Sequence, residues 1–302
     1  MKTITVPDGL TDAALAELVH AGDAAFEKQL AALAEEIGAD RSLRLLGLTG
    51  PTCSGKTTAA AMLTKALEAQ GRAVHIISID DFYFSKESLL RASREKGRTE
   101  PDYDSPDTID LDFMRACTLS LLMGRETRMP RFNFRTGQRE RGEILRPQPD
   151  DLFLFEGIQI LYPQVDALLR QEGYFSFCVC PESAISAGGE TFLPNEIRLL
   201  RRLVRDVIYR AAAPSFTFAI WDSVRENEEQ NIFPYISACN RTIDSTMPYE
   251  LGLLKPYLER YLTADGTGRF ADEANAILGR LAGIQPVPAG LIGPDSLYKE
   301  FI

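Results

Sequence analysis

The chain has 302 residues, 45% of them hydrophobic and 25% charged, with a formal charge of −10. That supplies one sizeable core with appendages, and the acidic balance argues against a sequence-independent nucleic-acid binder, which needs a net basic face. Five cysteines without paired spacing suit a reduced protein, no signal peptide is evident, and no apolar run is long enough to span a bilayer, so no membrane partner is expected and cytoplasm is the expected location.

In chain order, Thr11 to Ile37 places Leu15, Leu18, Val19, Phe26, Leu30, Leu33 and Ile37 at helical spacing, which predicts an amphipathic helix. It lacks the regular flanking charges of a coiled coil, so its expected partner is the main domain. Leu43 to Thr49 predicts a buried strand and Lys56 to Gln70 a helix. Between them, Gly50-Pro51-Thr52-Cys53-Ser54-Gly55-Lys56-Thr57 fits the phosphate-loop template G-x-x-x-x-G-K-[ST]. Average composition gives that pattern by chance in about one such chain in a hundred. The glycines permit close backbone approach, the Lys56 ammonium reaches β- and γ-phosphates, and the Thr57 hydroxyl suits Mg²⁺. A Gly-rich turn that merely caps a helix is the bland alternative. Cys53 within the loop is a buried spectator thiol or, if exposed, an oxidisable one.

A second strand, Ala73 to Ile79, runs into Asp80-Asp81-Phe82-Tyr83. In an open parallel sheet ligands gather at the carboxyl ends of strands, so Asp80 should face the phosphates. It has two jobs open to it, accepting a proton from an attacking hydroxyl or holding Mg²⁺; Asp81 or Ser85 suits a helix N-cap. A helix follows near Thr108 to Met123. From Arg125 to Pro149 the apolar density falls and arginine dominates, which predicts a protruding hairpin that covers a site. The apolar strand Leu152 to Phe155 ends in Glu156, the usual place for a second metal-binding carboxylate in a P-loop protein. Tyr174 to Cys180 predicts another strand, with Cys178 and Cys180 as core residues, since nothing completes a metal site around them.

Over Ile197 to Arg210, a turn of about 100° per residue brings Arg198, Arg201, Arg202 and Arg205 to one side and Leu200, Leu203, Val204 and Val207 to the other. A stripe of guanidiniums without interleaved acids favours an anion as partner, and in a P-loop enzyme this is the lid; a solvated helix face, partly neutralised by Asp206, is the bland alternative. Arg205 and Arg210 are its candidates for stabilising charge on a transferring phosphoryl group. Beyond Thr263 the sequence predicts a helix at Ala271 to Ala282 and a Pro- and Gly-containing tail.

Taken together, GPTCSGKTT at 50–58, SIDDFYFSK at 78–86, YDSPDTIDLDFM at 103–114, MPRFNFRTGQR at 129–139, LFLFEGI at 152–158 and RLLRRLVRDVIYR at 198–210 resemble the uridine kinase and phosphoribulokinase family of P-loop kinases. The resemblance implies an α/β P-loop NTPase fold with a parallel sheet covered by helices, an inserted hairpin, an arginine-rich lid helix and helical additions at both ends. The expected organisation is a helical segment over 1–40, a kinase domain over 41–262, and a helix and tail over 263–302. It further implies ATP as phosphoryl donor, bound by residues 50–58 (Gly50 to Thr58), Arg205 and Arg210. Mg²⁺ would lie near Thr57, Glu156 and Asp80, with Asp80 as general base. Asp104 and Arg201 would hold sugar hydroxyls, and Tyr83, Tyr103 and Phe132 would line the acceptor pocket.

One departure stands out. Nucleoside kinases of this type carry a Tyr and a His in the segment aligned with Phe132 to Gly137, and this chain has Phe132 and Gly137 instead. A phenyl ring still stacks, but glycine offers no donor to a base edge. Arg125, Arg128, Arg131, Arg135, Arg139 and Arg141 belong either to a solvated basic hairpin or to a site for an acidic acceptor. The expectation is therefore a kinase for a small hydroxyl acceptor, with a ribonucleoside leading and pantothenate, a pentose phosphate or glycerate behind. A GTPase-like switch is the alternative of another class, disfavoured because N-K-x-D is missing. A homo-oligomer stays open.

Overall fold

The computed structural model describes residues 2–95, 97 and 105–302. The chain runs β1 (Thr3–Thr5), α1 (Asp12–Ala39), β2 (Leu45–Thr49), α2 (Lys56–Ala69), β3 (Val74–Ser78), α3 (Lys86–Glu95) and α4 (Leu111–Leu122). It continues through the hairpin β4 (Thr127–Asn133) and β5 (Gln138–Leu145), then β6 (Leu152–Glu156), α5 (Pro163–Gln171), β7 (Tyr174–Cys180), β8 (Ala184–Ala187) and β9 (Glu190–Phe192). α6 (Pro194–Arg210), α7 (Pro214–Asn231), β10 (Arg241–Asp244), α8 (Glu250–Tyr261), α9 (Ala264–Thr267) and α10 (Ala271–Leu281) complete it.

β2, β3, β6, β7 and β10 form one parallel sheet in the order β10-β7-β2-β6-β3. A parallel sheet must be covered on both faces, and the strand sequences obey that requirement. Leu46, Leu48, Leu152, Leu154, Phe177 and Val179 point into a core shared with α1, α2, α6 and α8. Their neighbours Leu45, Phe153 and Phe155 point the opposite way, into a core shared with α4, α5 and the hairpin. This is a three-layer α/β architecture.

Pairing of Leu48 and Ser78 with Glu156, and of Thr49 with Cys178, brings the carboxyl ends of the strands to one edge. The strands at 45–49, 74–78, 152–156 and 174–180 lie where the apolar runs put them. β10 was not anticipated, because its four residues (RTID) carry too little apolar signal. The pairing of β8 with β1 and β9 in a separate small sheet was also missed. α1 packs on α2 through Leu30, Leu33 and Ile37, and Leu297, Tyr298 and Phe301 are buried in the same core. No helix among the described residues is long and apolar enough to cross a membrane.

Candidate active site

The loop between β2 and α2 needs its glycines for geometric reasons. Gly50 has φ +154°, and a Cβ there would sit 2.1 Å from the Val179 carbonyl oxygen; Gly55 has φ +94° as the N-cap of α2. An αL glycine cap has no side chain with which to satisfy the first-turn N–H groups, so the positive end of α2 opens toward the loop. Lys56 folds back and donates to the carbonyl oxygens of Gly50 (2.9 Å) and Pro51 (3.1 Å). Thr57 is exposed at the start of α2, and Cys53 is buried with φ +56°. The hydroxyl of Ser54 is buried inside the loop without a hydrogen-bond partner among the described residues.

Asp80 lies just past the end of β3 and Glu156 is the last residue of β6, beside this loop. Burial pushes the Glu156 carboxyl up, and the nearby Asp80 and Glu300 carboxylates push it further, against the pull of Lys56. Crowded carboxylates with one hydroxyl form a hard-oxygen donor set that suits a divalent cation. No cluster of three Asp, Glu, His or Cys closes around one point among the described residues. A Mg²⁺ held by Thr57, Asp80 and Glu156 would therefore take its remaining oxygens from water and phosphate, as that ion commonly does.

Gln159, which sequence reasoning missed, is fully buried just past β6. Its Nε2 donates to Asp80 Oδ1 (2.8 Å) and to the Tyr83 hydroxyl (2.6 Å), so one amide fixes both groups. A lone glutamine after an apolar strand gives no periodic signal, and only the proximity of strand ends reveals it. The Tyr83 ring meets Phe132 and Phe134 edge-on, at 5.5 and 6.2 Å between centroids. Asp81 accepts the Phe132 N–H (2.8 Å), Lys86 N–H donates to the Gly137 carbonyl (2.7 Å), and Arg139 pairs with Asp110 (2.8 Å). These bonds dock the hairpin on the segment after β3. Ser85 caps α3 by accepting the Ser88 N–H, whereas Asp81 serves the hairpin. Tyr103 and Asp104 lie outside the described residues.

The arginine stripe of α6 needs correction. Arg198, Arg201 and Arg202 are buried, and acids supplied by other elements or by α6 itself neutralise them. Glu228 on α7 accepts both Arg198 Nη1 and Nη2 (2.6 and 2.7 Å), and Glu250 on α8 accepts Arg201 Nε (2.7 Å) and Nη2 (3.1 Å). Burial alone would lower the Arg201 guanidinium, but the adjoining Glu250 carboxylate raises it. Arg201 is thus fully enclosed and does not reach a sugar hydroxyl. The helix is packed on both sides rather than poised as a free basic lid. Its guanidiniums instead brace the loop from behind: Arg198 bonds the Thr52 carbonyl (3.1 Å), Arg202 the Thr52 hydroxyl (3.3 Å) and Arg201 the Cys53 carbonyl (3.4 Å). Glu228 accepts the Thr52 N–H as well (3.2 Å). Arg205, slightly exposed, bonds Asp206 (2.8 Å) and lies near Cys53; Arg210 is half-exposed, 3.6 Å from Asp206.

The uridine kinase of Schizosaccharomyces pombe is 32% identical to this chain over 178 residues, which are 56% of this chain and 33% of that protein. The uridine kinase of Yersinia enterocolitica is 29% identical over 191 residues, 63% of this chain and 78% of that one. A solved structure described as a possible uridine kinase from Bacillus stearothermophilus is 17% identical, covering 72% of this chain and 98% of its own, with a TM-score of 0.46. The chain spans about a third of the length of the Schizosaccharomyces pombe relative. The model of the phosphoribulokinase and uridine kinase family matches residues 45–248, from the first strand of the main sheet to just past the last, and the chain belongs to that family.

Proposed function

We propose that the chain is a kinase that transfers the γ-phosphoryl group of ATP, in the presence of Mg²⁺, to a hydroxyl of a small acceptor, most simply a ribonucleoside. The observation that carries this reading is the meeting of Lys56, Asp80 and Glu156 beside the phosphate loop, at the edge where a parallel α/β sheet takes its ligands. The loop N–H groups and Lys56 hold the phosphates, and Arg205 adds charge beside them. Asp80, aimed by Gln159, orients the acceptor hydroxyl and takes its proton as that oxygen attacks the γ-phosphorus and the bond to the β,γ-bridging oxygen breaks. Mg²⁺ offsets charge on the phosphate oxygens when bound. Phe134, exposed and edge-on to the buried Tyr83, offers aromatic surface to a planar ring. The names of the relatives, uridine kinases, support the nucleoside.

A second acceptor class, an anion such as glycerate, pantothenate or a pentose phosphate, is favoured by the exposed Arg131, Arg135 and Arg141 of the hairpin. ADP release from Mg·ATP with a panel of these compounds and nucleosides separates the two. Nucleoside-dependent release is expected; release that ignores every acceptor sinks the kinase reading. Asp80→Asn should keep ATP binding and lose about 10²- to 10⁴-fold in turnover. Near-wild-type turnover would refute the base.

A further inference from the structure

We propose that Glu300 sets the affinity of the phosphate loop for nucleotide by occupying one of its phosphate donors. The inference rests on the loop being the ATP site. Gly55 caps α2 without a side chain, so the first-turn N–H groups of Lys56, Thr57 and Thr58 are the donors that a polyphosphate would take. Thr58 already gives both its N–H (3.3 Å) and its hydroxyl (3.2 Å) to Glu300 Oε2. A carboxylate at a helix N-terminus is a chemical stand-in for a phosphate oxygen, with the same charge sign and the same donors.

The segment that carries Glu300 is held firmly. Leu297 lies against the loop, where a Cβ on Gly55 would come within 2.2 Å of its Cδ1. Tyr298 is fully buried and its hydroxyl donates to Glu250, the partner of Arg201. Phe301 is fully buried, and the Tyr209 hydroxyl donates to the Ile302 carbonyl (2.7 Å). With that backbone fixed, the Glu300 side chain is the moving part. It is only half-buried, and Arg205 is within Coulombic reach to receive it when phosphate displaces it. Glu300 also adds to the negative field felt by Glu156, so an entering polyphosphate meets an anion already in place.

A donor occupied about nine-tenths of the time weakens apparent affinity about tenfold. Titration calorimetry with Mg·ATP and with inorganic tripolyphosphate should therefore show Glu300→Gln and Glu300→Ala binding both ligands about tenfold more tightly than wild type. Unchanged or weaker binding by both variants, with wild-type thermal midpoints, overturns the proposal. Lys56→Ala in the same titration tests the underlying reading. If it binds Mg·ATP as wild type does, the loop is not the nucleotide site, whatever Glu300 does.

Discussion

Arginines crowd two regions of this molecule, α6 and the β4–β5 hairpin, and the sequence makes both look like anion sites. On α6 the guanidiniums of Arg198, Arg201 and Arg202 are buried and matched by Glu228, Glu250 and Asp206. On the hairpin Arg128, Arg131, Arg135 and Arg141 are exposed, and the docking bonds come from Asp81, Gly137 and Arg139 instead. The same residue type stiffens a loop in one place and leaves charge on the surface in the other. What decides between them is the supply of acids, from Glu228 and Glu250 on other helices and from Asp206 on α6 itself. Buried arginines with partners are structural cement, and only the exposed set is available to a ligand without first losing an ion pair.

The sharpest way to break this contrast is Arg201→Ala, which strips the buried Glu250 of its guanidinium partner. It should cost about 3–5 kcal/mol of stability, read from urea melts. On the acceptor flank, Gln159→Leu removes the amide that aims Asp80 without touching any buried charge. A roughly tenfold fall in kcat is expected, read from steady-state kinetics at saturating ATP. Asp206 supplies a pH test of the α6 network. Burial would raise its carboxyl, but Arg205, Arg202 and Arg210 outweigh it and hold it below its ordinary 3.8. The folded state therefore binds that proton less tightly than the unfolded one. The stabilisation is complete above about pH 4 and drains away as pH falls through the lower folded value. Melts at pH 5 and pH 3 should show wild type losing more than Asp206→Asn. The smallest effect belongs to Arg135→Ala, at under about 0.5 kcal/mol of stability, and it should weaken an acidic acceptor while sparing a neutral nucleoside.

Much of the frame was legible in the sequence because its signals are local. LLGLT and LFLFE are apolar runs that only a strand covered on both faces accommodates, and the phosphate loop fits a contiguous template. Asp80 and Glu156 followed from their places at strand ends. The partners of Arg198 and Arg201 were hidden by distance along the chain. Glu228 lies 30 residues beyond Arg198, Glu250 lies 49 beyond Arg201, and no periodicity links them. A helical wheel displays the side chains of one helix and nothing of what packs on it. Gln159 was invisible for the same reason, since its role depends on Asp80 and Tyr83, 79 and 76 residues earlier.

The bond from Thr58 to Glu300 spans 242 positions, and it bears on how the protein is made. β2 and α2 are sequence neighbours that can meet at little loop-closure cost. The wall formed by Leu297, Tyr298 and Phe301 is synthesised far later, so a ribosome-bound chain holds a phosphate loop whose last side is still missing. Glu250, shared by Arg201 and Tyr298, links that late wall to the brace behind the loop. The final geometry of the loop therefore depends on residues made far later, and damage to residues 297–301 should be felt at Gly55 and Thr58 before it is felt in the sheet.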